Sequence, residues 1–94
     1  MLTQVIFDEW AMTMGELPLM YDIADNHADD MHVLFGLNRV LKKMYDDHEL
    51  PLIVRRYSPK LGANMLEFLA RNRNGASVII EEFNRVYSKE TGQR

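Results

Sequence analysis

The sequence predicts an all-α domain, a compact single-domain bundle of five to six helices around a long central helix at about 29–47. Apolar residues recur at steps of three and four over most of the chain, and capping or breaking residues fall at the ends of those runs. Length sets the scale: 94 residues support one modest core that buries about 60–65% of the unfolded surface. Residues 1–88 are expected to form that domain, and 89–94 a frayed polar tail.

In the first run Leu2, Val5, Ile6, Trp10 and Met14 keep helical spacing, Phe7 adds a second row, and Gly15 is expected to end it. Residues 4–7 are β-branched and aromatic, which keeps a strand open there. Pro18 suits the first turn of a short helix from Glu16 through Asp25, with Leu19, Met20 and Ile23 inward. The central helix carries Val33, Leu37, Val40, Leu41 and Met44 on one stripe and Met31, Leu34, Phe35 and Tyr45 on another. It is therefore apolar over more than the ~100° of an ordinary surface helix. Asn26 or Asp25 is its expected N-cap, Asp29 and Asp30 suit the positive end of its dipole, and Lys42 and Lys43 suit the other end. Gly36 inside it costs about 1 kcal/mol relative to Ala, which implies close approach of another helix or a local bend.

His48-Glu49-Leu50-Pro51 breaks the central helix, and residues 52–57 read equally as a helical turn or a short strand. Ser58 as cap and Pro59 as first helical residue open the next helix, with Leu61, Met65, Leu66 and Leu69 inward. Asn72-Arg73-Asn74-Gly75 stops that helix. Ser77 then caps a last one buried along Ile79, Ile80, Phe83, Val86 and Tyr87.

The absence of cysteine removes disulfides, thiolate zinc sites and cysteine nucleophiles. No basic start with an apolar h-region follows Met1, and no apolar run approaches the ~20 residues of a membrane span. A cytoplasmic protein with no membrane partner is expected. There is no G-x-G-x-x-G, P-loop, H-E-x-x-H or G-x-S-x-G, and Ser58 and Ser77 read as helix caps rather than nucleophiles. An enzyme is not expected, and neither is a cofactor. One constellation has metal-ligand spacing, His27 with Asp30 and Asp29 with His32, three residues apart on a helix. An acid-rich helix start with two solvent-exposed histidines explains it without a metal, as does a charged helix end for Asp46-Asp47-His48-Glu49.

Net charge is −3, but its distribution is uneven. Residues 1–38 hold seven acids and no Lys or Arg, whereas residues 39–94 hold eleven bases and seven acids. Arg55, Arg56, Lys60, Arg71 and Arg73 form the candidate nucleic-acid surface, since such affinity needs several cations acting together. Residues 64–88 loosely match a helix-turn-helix, yet the would-be recognition helix opens with three apolar residues and two acids, Glu81 and Glu82.

The acidic half is the stronger candidate. Carboxylates arrayed along helices attract basic partners and raise association rates, and Trp10 within an apolar first helix has the makings of an interface anchor. Core packing of Trp10 and pairing of the acids with the chain's own basic half are the competing explanations. Seven methionines suit either an adaptable binding surface or a core. The expectation is a non-enzymatic interaction protein, an acidic inhibitor or regulator of the kind phages and mobile elements encode, by analogy of size and charge alone. It would engage a basic protein surface through Asp8, Glu9, Trp10, Glu16, Asp22, Asp25 and Asp29, and form a homodimer or higher homo-oligomer. A nucleic-acid-binding regulator and an oligomeric assembly factor are the alternatives.

Overall fold

Six α-helices and two short 3₁₀ turns make up the computed structural model, which describes the backbone of residues 2–91 and the side chains of residues 4–86. The helices are α1 (Leu2–Glu9), α2 (Leu17–Asn26), α3 (Met31–Met44), α4 (Leu50–Ile53), α5 (Met65–Arg71) and α6 (Gly75–Thr91). No strand occurs among the described residues; a lone antiparallel bridge joins Ser58 and Ala63. Packing runs in two layers, α2 against α5 and α3 against α6, with α1 laid on α3 and the α5–α6 hairpin joining the layers. One core of Ile6, Phe7, Trp10, Ile23, Leu34, Leu37, Leu41, Leu50, Ile53, Val54, Leu66, Leu69, Ala76 and Ile79 fills the space between them. The all-α bundle is thus the fold, and no helix among the described residues is long and apolar enough to cross a membrane.

Several boundaries differ from expectation, each for a local reason. Helix α1 stops at Glu9 rather than Gly15. Ala11 takes a left-handed conformation, φ 55°, while its N–H bonds Asp8 O at 3.1 Å and the Met12 N–H bonds Phe7 O at 2.9 Å. Those two bonds form a Schellman cap, with alanine in the position that usually holds glycine. A left-handed alanine is strained by about 1–2 kcal/mol, so Ala11→Gly should raise stability by about 1 kcal/mol. Equilibrium urea unfolding checks this, and an unchanged or lower midpoint would contradict the cap assignment.

Helix α3 begins at Met31 and ends at Met44, shorter than 29–47, and α6 is the longest helix. Residues 27–30 form turns held by Ala28 N–H to Asp25 O and Asp30 N–H to His27 O. Asp30 is the N-cap, so neither Asn26 nor Asp25 caps α3. At the other end Tyr45 becomes extended, and Asp46 with Glu49 starts the next 3₁₀ turn through a capping box. The buried line of α3 is Leu34, Leu37, Asn38 and Leu41. A β-carbon at Gly36 would lie 3.8 Å from Ile80 Cδ1, ordinary contact with α6.

Residues 50–53 form the short helix α4, which settles part of the 52–57 ambiguity in favour of helix. Ser58 does not cap a helix, because the chain turns back on itself there. Ser58 O accepts from Leu61 and Gly62, Ser58 N–H bonds Ala63 O at 3.0 Å, and Gly62 sits at φ 72°, a conformation glycine adopts freely. Asn64 caps α5 instead, accepting from Glu67 N–H at 2.8 Å. Ser77 is likewise no cap, since α6 starts at Gly75. A β-carbon at Gly75 would meet the Leu69 backbone at 3.1 Å, so glycine permits the close α5–α6 turn. Helix α6 continues to Thr91, over the first part of the expected tail; residues 92–94 and the Tyr87 side chain lie outside the described residues.

Candidate protein-docking face

The seven residues expected to bind a partner separate into two groups. Trp10 is fully buried, and its indole Nε1–H donates to Asn38 Oδ1 at 2.8 Å. Asn38 Nδ2 donates in turn to Glu9 Oε1 at 2.6 Å, and Lys42 Nζ reaches Glu9 Oε2 at 2.8 Å. The chain of four side chains ties α1 to α3, and Lys42 and Asn38 hold the Glu9 carboxyl below its usual range. Trp10 is therefore a core residue with a satisfied polar tip, and it presents no aromatic anchor to solvent.

Glu16 is engaged as fully. The Arg55 guanidinium forks onto its carboxylate, Nε to Oε2 at 3.0 Å and Nη2 to Oε1 at 2.7 Å. The remaining donors reach Trp10 O at 2.8 Å, Pro51 O at 2.7 Å and Ala11 O at 3.0 Å. All five N–H groups of the guanidinium are used. Arg55 thereby satisfies carbonyls freed where α1 ends, a role suited to a cation at a helix C-terminus. Its hydrogen bonds to Glu16, aided by the Thr13 N–H, keep that carboxyl below the usual carboxylate range.

The expected nucleic-acid set shrinks accordingly. Arg55 is consumed by the fold, and Lys60 lies 2.9 Å from Glu82. Arg56, Arg71 and Arg73 remain exposed. In the α5-turn-α6 unit Ala76 and Ile79, near the start of the second helix, are buried in the core, while Ser77 and the acid Glu81 face solvent there.

His27 is not a solvent-exposed histidine. Its ring is buried, Nδ1 lies 2.8 Å from Ile23 O, and Nε2 accepts the Ala76 N–H at 3.3 Å. The bond from Ala76 assigns the proton to Nδ1. Both ring nitrogens are thus occupied, and residues 27–30 form turns rather than the helix that would align His27 with Asp30 and Asp29 with His32. Asn26 beside it donates through Nδ2 to Leu69 O at 3.1 Å and Ala70 O at 2.7 Å, the open carbonyl end of α5. The last turn of α2 thereby closes the end of α5 and the start of α6 together.

The other side of that turn is where the remaining acids gather. Tyr21, Asp22, Ala24, Asp25 and Ala28 line one shallow depression, and Asp29 and Asp30, which follow Ala28 in the chain, are exposed. Tyr21 is 67% exposed. Among the described residues, none of Asp8, Asp22, Asp25, Asp29 and Asp30 makes an ion pair. Asp29 and Asp30 precede α3, where its dipole welcomes them. Asp25 occupies the last turn of α2 with Asp22 one residue before that turn, and no base accompanies them there. Carboxylates at a helix C-terminus oppose the dipole by about 0.3–1 kcal/mol each. Among the described residues, no ion pair offsets them.

Tyr21 was not among the residues singled out for binding. It falls off the Leu19, Met20 and Ile23 stripe and four residues before Asp25, and that off-stripe position was the available signal. Asp8 stays exposed on α1 and accepts from Gln4 Nε2 at 2.9 Å. Comparison with known proteins adds no relative: no family model, curated protein or solved structure matches the chain.

Proposed function

We infer that this chain is a non-enzymatic protein-binding regulator that presents Tyr21, Asp22, Asp25 and Asp29 to a basic surface of another protein. The observation that carries the reading is the placement of Asp25 against the α2 dipole, with the unpaired Asp22 and an exposed tyrosine beside it. Local electrostatics and fold agree at the end of α3, which carries Lys42 and Lys43, and of the two acids that end α1, Asp8 and Glu9, the second is held by Lys42 and Asn38. Departures from that agreement concentrate at functional sites. An exposed aromatic ring supplies contact area at low entropic cost, and the surrounding carboxylates supply steering and selection for a basic partner. Glu9, Trp10 and Glu16 drop out of the expected interface because they already have partners within the chain, while Asp8 stays exposed on α1.

The test is capture from the native host with a tagged chain, read by mass spectrometry. A partner retained by the wild type should be lost with Tyr21→Ser and with Asp22→Lys, and its capture should fall as salt is raised. Capture that survives both substitutions contradicts the reading. Capture of nucleic acid that depends on Arg56, Arg71 and Arg73 would replace it.

A further inference from the structure

A second surface shares no residue with the Tyr21 face and has the opposite character. A groove of about 290 Å³ opens between the end of α3, the loop before α5, and α6, lined mainly by Met44, Tyr45, Leu61, Met65, Phe83 and Val86. That volume is about ten waters' worth. Met44 and Phe83 also line an adjoining hollow with Val40 and Lys43, so the apolar floor continues along α3 and α6. Two of the lining side chains are substantially open to solvent, Met44 at 44% and Val86 at 38%.

Among the described residues, the cations beside the groove outnumber its one lining carboxylate, Glu82. Glu82 takes Lys60 at 2.9 Å and also pairs with Arg85, while Lys43 is exposed at the adjoining hollow. Glu82, Lys60, Arg85 and Lys43 together leave two net positive charges on this part of the rim, with the exposed Asp46 and Asp47 following Tyr45 at its other end. An apolar trough with a cationic rim is matched by an aromatic side chain with acids beside it. The α2 surface offers that combination, with Tyr21 exposed and Asp22 and Asp25 flanking it.

We propose that the groove receives the Tyr21 face of a second copy of this chain, with Tyr21 seated among Met44, Phe83 and Val86 and Asp22 and Asp25 directed to Lys43, Lys60 and Arg85. The two surfaces differ, so the contact is head-to-tail and each added copy leaves one face and one groove open. This rests on the reading of the Tyr21 face as a docking surface. It goes further in making self-association and partner capture mutually exclusive, because both use the same face.

Sedimentation velocity over a concentration series at low salt tests it with two half-blocked variants. Tyr21→Ser/Asp25→Lys removes the face, and Lys43→Glu/Val86→Glu removes the groove; Met44→Trp, which fills the groove without a charge change, is a second block should the acidic pair fail to fold. The wild type should grow in mean mass beyond a dimer with concentration. Each half-blocked variant should stay monomeric alone, and an equimolar mixture should form a species of about twice the monomer mass and nothing larger. A wild type that remains monomeric overturns the proposal, as does a face-blocked variant that still dimerises, which would indicate a two-fold groove-to-groove contact. Loss of host-partner capture in the face variant alongside a monomeric wild type would overturn this inference alone. Retained capture with a dissolved oligomer would overturn the partner reading and leave self-association standing.

Discussion

Arg55→Ala should destabilise the fold by about 2–4 kcal/mol, a fall of roughly 10–30 °C in Tm for a domain of this size. The substitution strips Trp10 O, Ala11 O, Pro51 O and the Glu16 carboxylate of their shared donor at once. The figure stays below that of a fully buried pair because the two side chains keep 28% and 22% of their surface in water. Arg55→Lys should recover less than half of the loss, since one ammonium cannot span a carboxylate and three carbonyls as a planar fork does. Thermal and urea unfolding read both. A surface arginine serving nucleic acid would instead leave stability unchanged on removal.

The same pair sets a pH dependence. The Glu16 carboxyl is held below the ordinary glutamate value of 4.5 by Arg55. Its contribution is therefore complete above about pH 4.5, and it is lost as pH falls through the lower folded-state value. Glu9, lowered by Lys42 and Asn38, acts in the same direction. Stability of the wild type should drop on the acid side, and Arg55→Ala should flatten that limb.

Asn38→Leu should cost about 2–3 kcal/mol although leucine suits a buried helical position better. The cost arises because the buried Trp10 indole N–H loses its acceptor and Glu9 loses one donor. Trp10→Phe in the same background removes the orphaned donor, so the double variant should be more stable than the sum of the two single changes by about 1–2 kcal/mol. Strict additivity would mean that the indole is not held by Asn38.

Periodicity made the helices legible, because Leu34, Leu37 and Leu41, or Leu66 and Leu69, stand at core spacing whatever surrounds them. Boundaries were harder where one residue replaced a usual signal. Ala11 serves as a left-handed cap without being glycine, so the apolar spacing through Met14 extended α1 past its end. Ser58-Pro59 has the local chemistry of a helix start, but Gly62 and the bond from Ser58 N–H to Ala63 O turn the chain first. The site divided along the same line. Glu9 and Glu16 are neutralised by residues 33 and 39 positions away, and no local pattern reveals such pairs. Trp10 and His27 find hydrogen-bond partners 28 and 49 positions away. In the sequence Asp22, Asp25 and Asp29 look no different from Glu9 and Glu16, and their lack of an ion pair, like the exposure of the tyrosine beside them, shows only once α2 is packed on α5.

If the Tyr21 face is a docking surface, Asp22 and Asp25 serve a partner, the second at the expense of the helix that carries it. The direct measurement is host-partner capture by the Asp22→Lys/Asp25→Lys variant at matched concentrations of folded protein, its folding verified by thermal melting. The reversal at Asp25 places a cation in the last turn of α2, so Tm should rise by roughly 4–8 °C, about 1 kcal/mol, while the partner held by the wild type is lost. Capture at the wild-type level by this more stable variant would contradict the account.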